Sequence, residues 1–236
     1  MLNILKEIGY NVTYRVLKAQ FFDVPQKRER LFIIGTRNDL DLKAIFPKER
    51  DYILTMRDAL QDCPPSAGAK YSARKLEIFD MVPEGGYWRD LPVDVQKEYM
   101  GASFYLGGGK TGMARRLAWD EPSLTLTCAP AQKQTERCHP AETRPLNVRE
   151  YARLQTFPDE WAITGSVCAQ YKQIGNAVPV NLAYHVGTCL IQMLDGHTSV
   201  YTKRNPALKV KLAEPDAGSN KKIRALVIGI LTVGPY

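Results

Sequence analysis

The stretch Val24-Pro-Gln-Lys-Arg-Glu-Arg-Leu-Phe-Ile-Ile-Gly35 joins a charged segment directly to an all-apolar run. Residues 31–34 have the length of a strand and no polar side chain, which is typical of a sheet covered on both faces. Because side chains alternate along an extended chain, Gln26, Arg28 and Arg30 should point to one side of it. Two guanidinium groups and an amide at a strand end suit a planar polar group or a phosphate. A solvated charged turn is the alternative.

The residues before this stretch extend an α/β pattern. Residues 2–8 carry apolar side chains at helical spacing and stop at Gly9, a residue that favours helix ends. Residues 10–16 alternate with period two, as a strand with one buried face does. The start of the chain therefore predicts an α/β layer with few strands.

Composition narrows the class of protein. The 236 residues are 44% hydrophobic and 24% charged, which excludes wholesale disorder and a collagen-like fibre. The longest apolar run, residues 225–233, is too short to span a bilayer. Five irregularly spaced cysteines favour a reducing compartment. Most of the net charge of +7 lies in the Lys-rich tail, so it says little about nucleic-acid binding by the rest.

The middle of the chain, residues 48–143, is rich in proline, glycine and polar residues. Only residues 55–62 and 73–82 have helical spacing. Such a stretch is either a loop-rich recognition region or a poorly ordered insertion, and its many tyrosines and tryptophans favour an ordered surface.

Regular structure returns at Asn147, which with Glu150 forms a capping-box pattern, so we expect a helix to about Gln155. Apolar spacing predicts a second helix over residues 180–194. We expect the basic tail, residues 196–236, to be disordered.

Two local motifs have ordinary explanations. Gly107-Gly-Gly-Lys-Thr-Gly112 matches a dinucleotide-binding pattern but lacks the strand and helix that such a site needs, so we predict a flexible loop. Lys110 and Arg115 near it are candidates for DNA phosphate contacts. Cys138-His139 has no second closely spaced ligand pair, so we expect no metal site.

Three segments in order resemble one family. Gln26-Lys-Arg-Glu-Arg30, Arg144-Pro-Leu-Asn-Val-Arg-Glu-Tyr-Ala-Arg-Leu-Gln-Thr-Phe-Pro-Asp159 and Gln173-Ile-Gly-Asn-Ala-Val-Pro179 resemble the eighth, ninth and tenth conserved blocks of bacterial restriction–modification DNA (cytosine-5)-methyltransferases. The resemblance covers nearly all of residues 1–195. It implies an α/β fold in which a C-terminal remnant of a Rossmann-like methyltransferase sheet is joined to a loop-rich target recognition domain.

The resemblance divides the chain into four parts. Residues 1–47 would hold the last strands of the catalytic domain, and residues 48–143 the target recognition domain. Residues 144–195 would hold a hinge helix and a C-terminal helix that returns to the catalytic domain, before the tail of residues 196–236.

The family's N-terminal motifs are missing from this sequence. The nucleophile of the family is a cysteine after a proline, and no Pro-Cys occurs here. The Gly-rich loop of the S-adenosylmethionine site and the Glu-Asn-Val segment are also absent. We therefore expect a fragment or split subunit that is inactive alone and is completed by a second polypeptide. Without neighbouring strands, residues 31–34 should be exposed and prone to aggregation.

The family chemistry implies roles for the retained residues. A cysteine adds to C6 of a flipped cytosine, and C5 then takes a methyl group from S-adenosylmethionine. By resemblance, Arg30 would hold the base's polar edge, Arg28 would support the site electrostatically and Gln26 would shape the pocket. Asn176 and Ala177 would close the cofactor pocket. The implied setting is the bacterial cytoplasm, at the nucleoid, with no membrane.

Double-stranded DNA would be the partner of the recognition region. Hydroxyl, amide and guanidinium groups can read base edges in the major groove. The candidate readers are Thr125, Thr127, Gln132, Gln134 and Arg137.

Three arginines of the ninth block have a structural role in our interpretation. Arg144, Arg149 and Arg153 should brace the recognition domain, with the last two at i, i+4 spacing on one helix.

Two other functions stay open. The chain would be a catalytically inactive, sequence-specific DNA-binding module if it retains recognition alone. It would be a truncated gene product if the unmatched tail reflects a disrupted reading frame.

Overall fold

The first part of the chain forms a small antiparallel sheet. The computed structural model describes residues 2–196 and the backbone of residues 225–231. Gly9 adopts φ +94° and ends the first helix, as the sequence predicts. In chain order the elements are α1 (Leu2–Glu7), β1 (Tyr10–Lys18), a 3₁₀ turn (Ala19–Phe21), β2 (Gln26–Lys27) and β3 (Glu29–Arg37).

The remaining elements are mostly short helices separated by loops. They are α2 (Met56–Leu60), α3 (Ala73–Asp80), a 3₁₀ turn (Trp88–Asp90), α4 (Val93–Met100), a 3₁₀ turn (Gly101–Tyr105), β4 (Ser123–Leu124), α5 (Val148–Leu154), α6 (Val167–Asn176), α7 (Val180–Leu194) and β5 (Ala225–Leu231).

The main sheet has the order β1-β3-β5, with both pairs antiparallel. In the first pair, Tyr10 lies opposite Arg37 and Lys18 opposite Glu29. We expected the tail to be disordered, but the backbone of its apolar run, β5, pairs with the second edge of β3. The rest of the tail, 197–224 and 232–236, lies outside the described residues.

The apolar run of β3 is buried, which corrects the expectation that residues 31–34 are exposed. Phe32 and Ile34 pack with Leu182 and Val186 of α7 in one core cluster. The helix returns from the far end of the chain to cover this face, and the strand gains a neighbour on each edge. The predicted aggregation-prone edge is therefore absent at β3 in the described part of the chain.

Side-chain caps fix the helix starts that the sequence indicated. Thr55 and Asp58 form a capping box at α2, and Asn147 and Glu150 form one at α5. Helices within residues 55–62, 73–82 and 147–155 and over 180–194 are confirmed. Helices α4 and α6 were not predicted.

Two further core clusters support the rest of the molecule. One joins α2, α5 and α6 through residues such as Met56, Tyr151 and Ile174. The other surrounds Trp88 and Phe79 in the middle region. The middle region is therefore an ordered, packed unit and not a poorly ordered insertion.

One helical stretch of the described chain, Val167–Leu194, is long and apolar enough to cross a membrane by length and composition alone. It consists of α6 and α7, whose apolar residues Ile174, Leu182 and Val186 pack into the core. Core helices of globular proteins meet the same criterion, so the stretch is weak support for a membrane span.

Candidate active site

The charged segment at the start of β3 runs beside a segment of the middle region. Gln26 pairs in parallel with Ser123, and the Leu126 amide donates to Gln26 Oε1 at 3.0 Å. The Thr125 hydroxyl donates to the Lys27 carbonyl at 2.6 Å. This short parallel ladder joins two segments about a hundred residues apart and fixes the backbone on which the arginines stand.

Burial alternates along this segment as the sequence predicts. Gln26, Arg28 and Arg30 are buried, whereas Lys27 and Glu29 are exposed. The alternation follows from the extended backbone, which sends successive side chains to opposite sides. The two guanidinium groups therefore lie on one side of the strand.

Arg28 is 2% exposed and links three segments through main-chain oxygens. Its Nη1 donates to Leu126 O at 3.0 Å, and its Nη2 donates to Gly175 O at 2.9 Å and Ala177 O at 3.2 Å. Burial and the nearby charge of Arg30 lower the Arg28 pKa to about 10. Its Nε is buried without a hydrogen-bond partner.

Gly175 permits the closest approach in this part of the molecule. A Cβ at this position would lie 2.4 Å from the Thr127 carbonyl oxygen and 2.9 Å from the Cys128 amide nitrogen. Any side chain would push the end of α6 away from the 126–128 segment. The glycine thus has a packing role, which the sequence pattern alone did not identify.

Arg30 has fewer bonds within the protein than Arg28. It is 4% exposed, and its one hydrogen bond within the described chain runs from Nη1 to the Glu29 carbonyl at 2.6 Å. Burial lowers the Arg30 pKa. Its other N–H groups remain available for a polar ligand.

Gln26 is fully buried, and both the nitrogen and the oxygen of its side-chain amide form hydrogen bonds. Its Nε2 donates to Leu154 O at 3.1 Å and to Gln155 Oε1 at 3.2 Å. Gln155 in turn donates to Ile174 O at 2.8 Å. The two glutamines connect β2 to α5 and α6, so Gln26 shapes the site from behind.

Asn176 lies at the surface beside this arrangement. The Cys128 thiol, also exposed, donates to its Oδ1 at 3.2 Å. The Ala177 amide donates to Ile174 O and its carbonyl accepts from Arg28. Of the two predicted cofactor contacts, Asn176 is exposed and has its Oδ1 bonded to Cys128, so it can offer its amide nitrogen, whereas both backbone groups of Ala177 are already bonded.

The predicted DNA readers divide into accessible and buried residues. Gln132 and Gln134 are exposed, and Thr125 and Thr127 are partly buried, the latter with its hydroxyl 3.1 Å from that of Thr135. Arg137 differs from the expectation of a surface reader, because it is 5% exposed.

Arg137 braces the middle region from inside. Its Nη2 donates to Thr125 O at 2.7 Å and its Nη1 to Glu136 O at 2.6 Å. Burial lowers its pKa to about 10. The side chain points inward because the Thr125 carbonyl, directly after β4, offers an acceptor.

The two cations predicted to contact phosphates are also bonded within the protein. Lys110 Nζ donates to the carbonyls of Ser103 and Leu106. Arg115 donates to Gly85 O at 2.6 Å and lies over the Tyr87 ring. Burial lowers the Arg115 pKa. These bonds hold Lys110 and Arg115 against main-chain carbonyls near the glycine-rich loop. Fewer of their N–H groups are therefore left to contact DNA phosphates.

Of the three arginines of the second motif, Arg144 and Arg153 contact the middle region, through Glu142 and through Gln61, whereas the hydrogen bonds of Arg149 stay within residues 144–195. Arg144 pairs with Glu150 at 2.8 Å, and Arg149 donates to Pro158 O at 3.2 Å. Arg153 pairs with Asp159 at 2.6 Å and donates to Gln61 O.

Sequence reasoning missed a buried network centred on Asp23. Its carboxylate lies 2.8 Å from His185 Nε2, accepts from the Tyr52 hydroxyl and lies 3.6 Å from Arg50. Burial alone would raise the Asp23 pKa, but these partners lower it below its usual value. Asn181 also donates to the Asp23 carbonyl at 2.7 Å. Asp23 has φ +57°, a conformation that Asp and Asn adopt more readily than most residues.

Within the described residues, no group of three or more His, Cys, Asp or Glu side chains is placed to hold a metal ion. His139 is buried, and its Nδ1 accepts from the amides of Ala141 and Glu142. The adjacent Cys138 is buried as well.

Relatives with known names match this chain closely. It is 64% identical over 203 residues to the Type II methyltransferase M.Eco47II of Escherichia coli, with 82% of this chain and 49% of the relative covered. It is 53% identical to the Type II methyltransferase M.Sau96I of Staphylococcus aureus, with 83% and 46% covered. The chain thus spans about half the length of these relatives.

Solved structures share the fold. A protein encoded within an E. coli prophage, described as a DNA modification methyltransferase, matches with a TM-score of 0.54 at 22% identity, over 80% of this chain and 62% of its own. The Entamoeba histolytica methyltransferase EhMeth matches with a TM-score of 0.51 at 13% identity, over 82% and 57%.

The family model described as C-5 cytosine-specific DNA methylase matches residues 1–192, which include all three motifs and the segments that they join. This chain therefore belongs to the C-5 cytosine-specific DNA methylase family.

Proposed function

We propose that this chain is the half of a Type II cytosine-5 DNA methyltransferase that carries target recognition and one wall of the active site. The complete enzyme would transfer a methyl group from S-adenosylmethionine to C5 of a cytosine within a specific sequence of double-stranded DNA. It would act in the bacterial cytoplasm, at the nucleoid. A second polypeptide would supply the Pro-Cys nucleophile and most of the cofactor site.

The observation that carries the proposal is the junction at Arg28. One guanidinium bonds Leu126, after β4, and the end of α6, and so links the first and third motifs with a segment near the end of the middle region, residues 48–143. A flipped base held by Arg30 and a donor near Asn176 would then face the same place. The large share of the chain matched by the family supports this arrangement.

The two arginines would divide the work. Both Nη groups of Arg28 donate to backbone oxygens, so it would act through position and charge. Arg30 keeps N–H groups for the polar edge of the extruded cytosine. A charge-assisted hydrogen bond of this kind is stronger than one between neutral groups.

The cofactor fits this chain only in part. S-adenosylmethionine supplies the methyl group when it is bound. Asn176 is exposed and offers an amide toward it, but Ala177 has no backbone group to spare. Asn176 would therefore contribute a single polar contact, and the remaining contacts would come from the second polypeptide.

Target recognition would use the accessible groups of the middle region. Gln132 and Gln134 are exposed, and Thr125 and Thr127 lie beside them. Amide and hydroxyl groups read base edges in the major groove. Arg137 would hold this surface in shape from below.

Reconstitution tests the proposal. The chain is mixed with the part of M.Eco47II that it does not match, and transfer of labelled methyl groups from S-adenosylmethionine to DNA is measured. We expect no transfer by either polypeptide alone and sequence-specific transfer by the mixture. Transfer by this chain alone would contradict the need for a partner.

A DNA-binding module without catalysis is the second candidate, favoured by the exposed amide side chains of Gln132 and Gln134 in the middle region. It predicts salt-sensitive, sequence-selective DNA binding by the chain alone and no methyl transfer by the mixture.

A further inference from the structure

The turn that follows helix α5 consists of two buried polar residues. Gln155 is 0% exposed and Thr156 is 3% exposed. Thr156 has φ +60°, in the left-handed region, which a β-branched residue rarely adopts. Backbone strain of this kind persists only where the surrounding structure imposes it, and it is concentrated at functional sites. The turn must therefore be held by specific contacts with its neighbours.

Gln155 holds the end of helix α6. Its Nε2 donates to Ile174 O at 2.8 Å and to Ala177 O at 3.5 Å. These two carbonyls lie on either side of Asn176 in the sequence. The Ala177 oxygen also accepts from Arg28, so Gln155 and Arg28 hold the same end of α6.

The same turn holds the start of helix α7. The Val180 amide donates to Gln155 O at 3.0 Å, and the Asn181 amide donates to Thr156 Oγ1 at 2.9 Å. The Thr156 hydroxyl itself donates to Gln155 O at 2.7 Å. Two consecutive residues therefore hold both ends of the connection between α6 and α7, and Asn176 is the last residue of α6 before it.

The orientation of the Gln155 amide is fixed by its partners. A main-chain carbonyl only accepts, so the group that faces Ile174 O must be Nε2. Gln155 Oε1 then accepts from Gln26 Nε2 at 3.2 Å, and Gln26 Oε1 accepts from the Leu126 amide at 3.0 Å. The hydrogen bonds thus run in one direction, from a main-chain amide through two glutamines to a main-chain carbonyl. An apolar side chain at position 155 would break this series.

We propose that Gln155 and Thr156 are positioning residues for Asn176, which they hold at the site through the backbone on both sides of it. This inference rests on the proposed function, which gives the Asn176 amide a contact with S-adenosylmethionine. Asn176 is exposed, and its Oδ1 accepts from the Cys128 thiol at 3.2 Å. An exposed side chain keeps a fixed place only if its backbone is fixed, and the bonds of the 155–156 turn supply that restraint.

Alkylation of Cys128 tests the inference on the chain alone. Because Asn176 Oδ1 accepts from the Cys128 thiol, displacement of Asn176 should favour the reactive thiolate. Gln155→Met keeps the length of the side chain and loses its hydrogen bonds. In this variant N-ethylmaleimide should modify Cys128 about threefold to tenfold faster, the value of one hydrogen bond. Cys168, also exposed, is the internal reference, and peptide mass spectrometry measures both rates.

A matched control and two further cysteines separate positioning from stability. Gln96→Met removes a glutamine whose Nε2 also donates to two main-chain carbonyls, and it should leave the Cys128 rate unchanged. The buried Cys138 and Cys189 report global unfolding, because N-ethylmaleimide reaches them only when the chain opens. A rise at Cys128 that these two cysteines share would overturn the positioning role.

Thr156 provides a second, independent pair of variants. Thr156→Val keeps the β-branched shape, and so the backbone strain, and removes only the hydroxyl. Thr156→Ser keeps the hydroxyl that accepts from the Asn181 amide. The valine variant should accelerate Cys128 alkylation, and the serine variant should react like wild type. Wild-type rates in both Gln155→Met and Thr156→Val would overturn the inference.

A double-mutant cycle in the reconstituted mixture connects the turn to the reaction. Gln155→Met and Asn176→Ala should each raise the KM for S-adenosylmethionine about threefold to tenfold, with a smaller change in kcat. If Gln155 acts through Asn176, the double variant should be no worse than Asn176→Ala alone, and effects that multiply would contradict the inference. A wild-type mixture without methyl transfer contradicts the proposed function, whereas the Cys128 rates still decide the positioning role. The two failures can therefore be told apart.

Discussion

The Arg28 guanidinium donates a hydrogen bond to the main-chain oxygen of Gly175 at 2.9 Å, across 147 positions of sequence. Both groups are buried. The bond joins the charged motif before β3 to the Gly-Asn-Ala motif at the end of α6. Two motifs that are far apart in sequence therefore form one rigid unit, on which Arg30 and Asn176 are carried.

Replacing Gly175 should push the end of α6 away from residues 127–128. In Gly175→Ala the new Cβ would lie 2.4 Å from the Thr127 carbonyl oxygen, so the backbone must move. We expect a loss of about 2 kcal/mol in the free energy of unfolding, measured by urea denaturation. Gly187→Ala is the matched control, because nothing lies within 4 Å of that helical position. It should gain about 0.5–1 kcal/mol. Equal effects of both substitutions would contradict the close-approach argument.

Substituting Arg28 should mainly lower stability, whereas substituting Arg30 should mainly lower methyl transfer. Arg28→Ala leaves the Leu126 and Gly175 oxygens without their donor and removes one of the two donors to the Ala177 oxygen, so the free energy of unfolding should fall by roughly 3 kcal/mol.

Arg30→Ala removes one internal hydrogen bond and should change stability by only about 1 kcal/mol. In the reconstituted mixture it should lower methyl transfer by about tenfold to a hundredfold, the value of one charge-assisted hydrogen bond. Arg37→Ala, at an exposed position of the same strand, is the control and should keep full transfer. Full transfer by Arg30→Ala would exclude a role at the base.

Arg137 is buried and Gln134 is exposed, so we expect their alanine substitutions to have different effects. Arg137→Ala removes the donor to the Thr125 carbonyl and should cost about 2 kcal/mol of stability. Gln134→Ala should leave the melting temperature unchanged and reduce the preference for the target sequence by about 1–3 kcal/mol, measured by fluorescence anisotropy against a shuffled duplex. A stable Arg137→Ala chain with altered sequence preference would restore Arg137 as a direct reader.

Local patterns in the sequence were sufficient for much of the fold. Gly9 and the Asn147–Glu150 capping box each act within one turn, so their signals are local. The alternation of residues 10–16 identified strand β1 but not its buried face, because Tyr14 and Val16 are 58% and 48% exposed. Even the side of the strand on which Arg28 lies followed from alternation alone. Helix α6 was not predicted because a glycine such as Gly175 permits an unusual backbone and weakens a helical pattern, whereas here its absent side chain allows a close contact with Thr127.

The site depended on contacts that no local pattern contains. The bond from Arg28 to Leu126 spans 98 positions, and that from Arg137 to Thr125 decides burial through a partner twelve residues away. The inward orientation of Arg137 and the Asp23 network are consequences of packing. An arginine in a polar loop looks the same in sequence whether it faces DNA or a buried carbonyl.

The Asp23 network should make stability depend on pH in the acid range. His185 and Tyr52 bind the Asp23 carboxylate, so its pKa in the folded chain lies below the value of the unfolded chain. A lowered pKa stabilises the fold above the unfolded value, and this stabilisation is lost as the pH falls through the folded value. Asp23→Asn keeps a residue that tolerates φ +57° and removes the charge. The variant should lose about 3 kcal/mol at pH 6.

Urea denaturation of both chains between pH 6 and pH 2.5 checks this expectation. The difference between wild type and Asp23→Asn should stay constant down to about pH 4 and shrink below it, because both chains then lack the charge. Thr188→Ala, a partly buried position one turn from His185 on α7, controls for general acid effects on that helix. A difference that does not change with pH would mean that shape and hydrogen bonding, and not the carboxylate charge, hold α7 to the turn before β2.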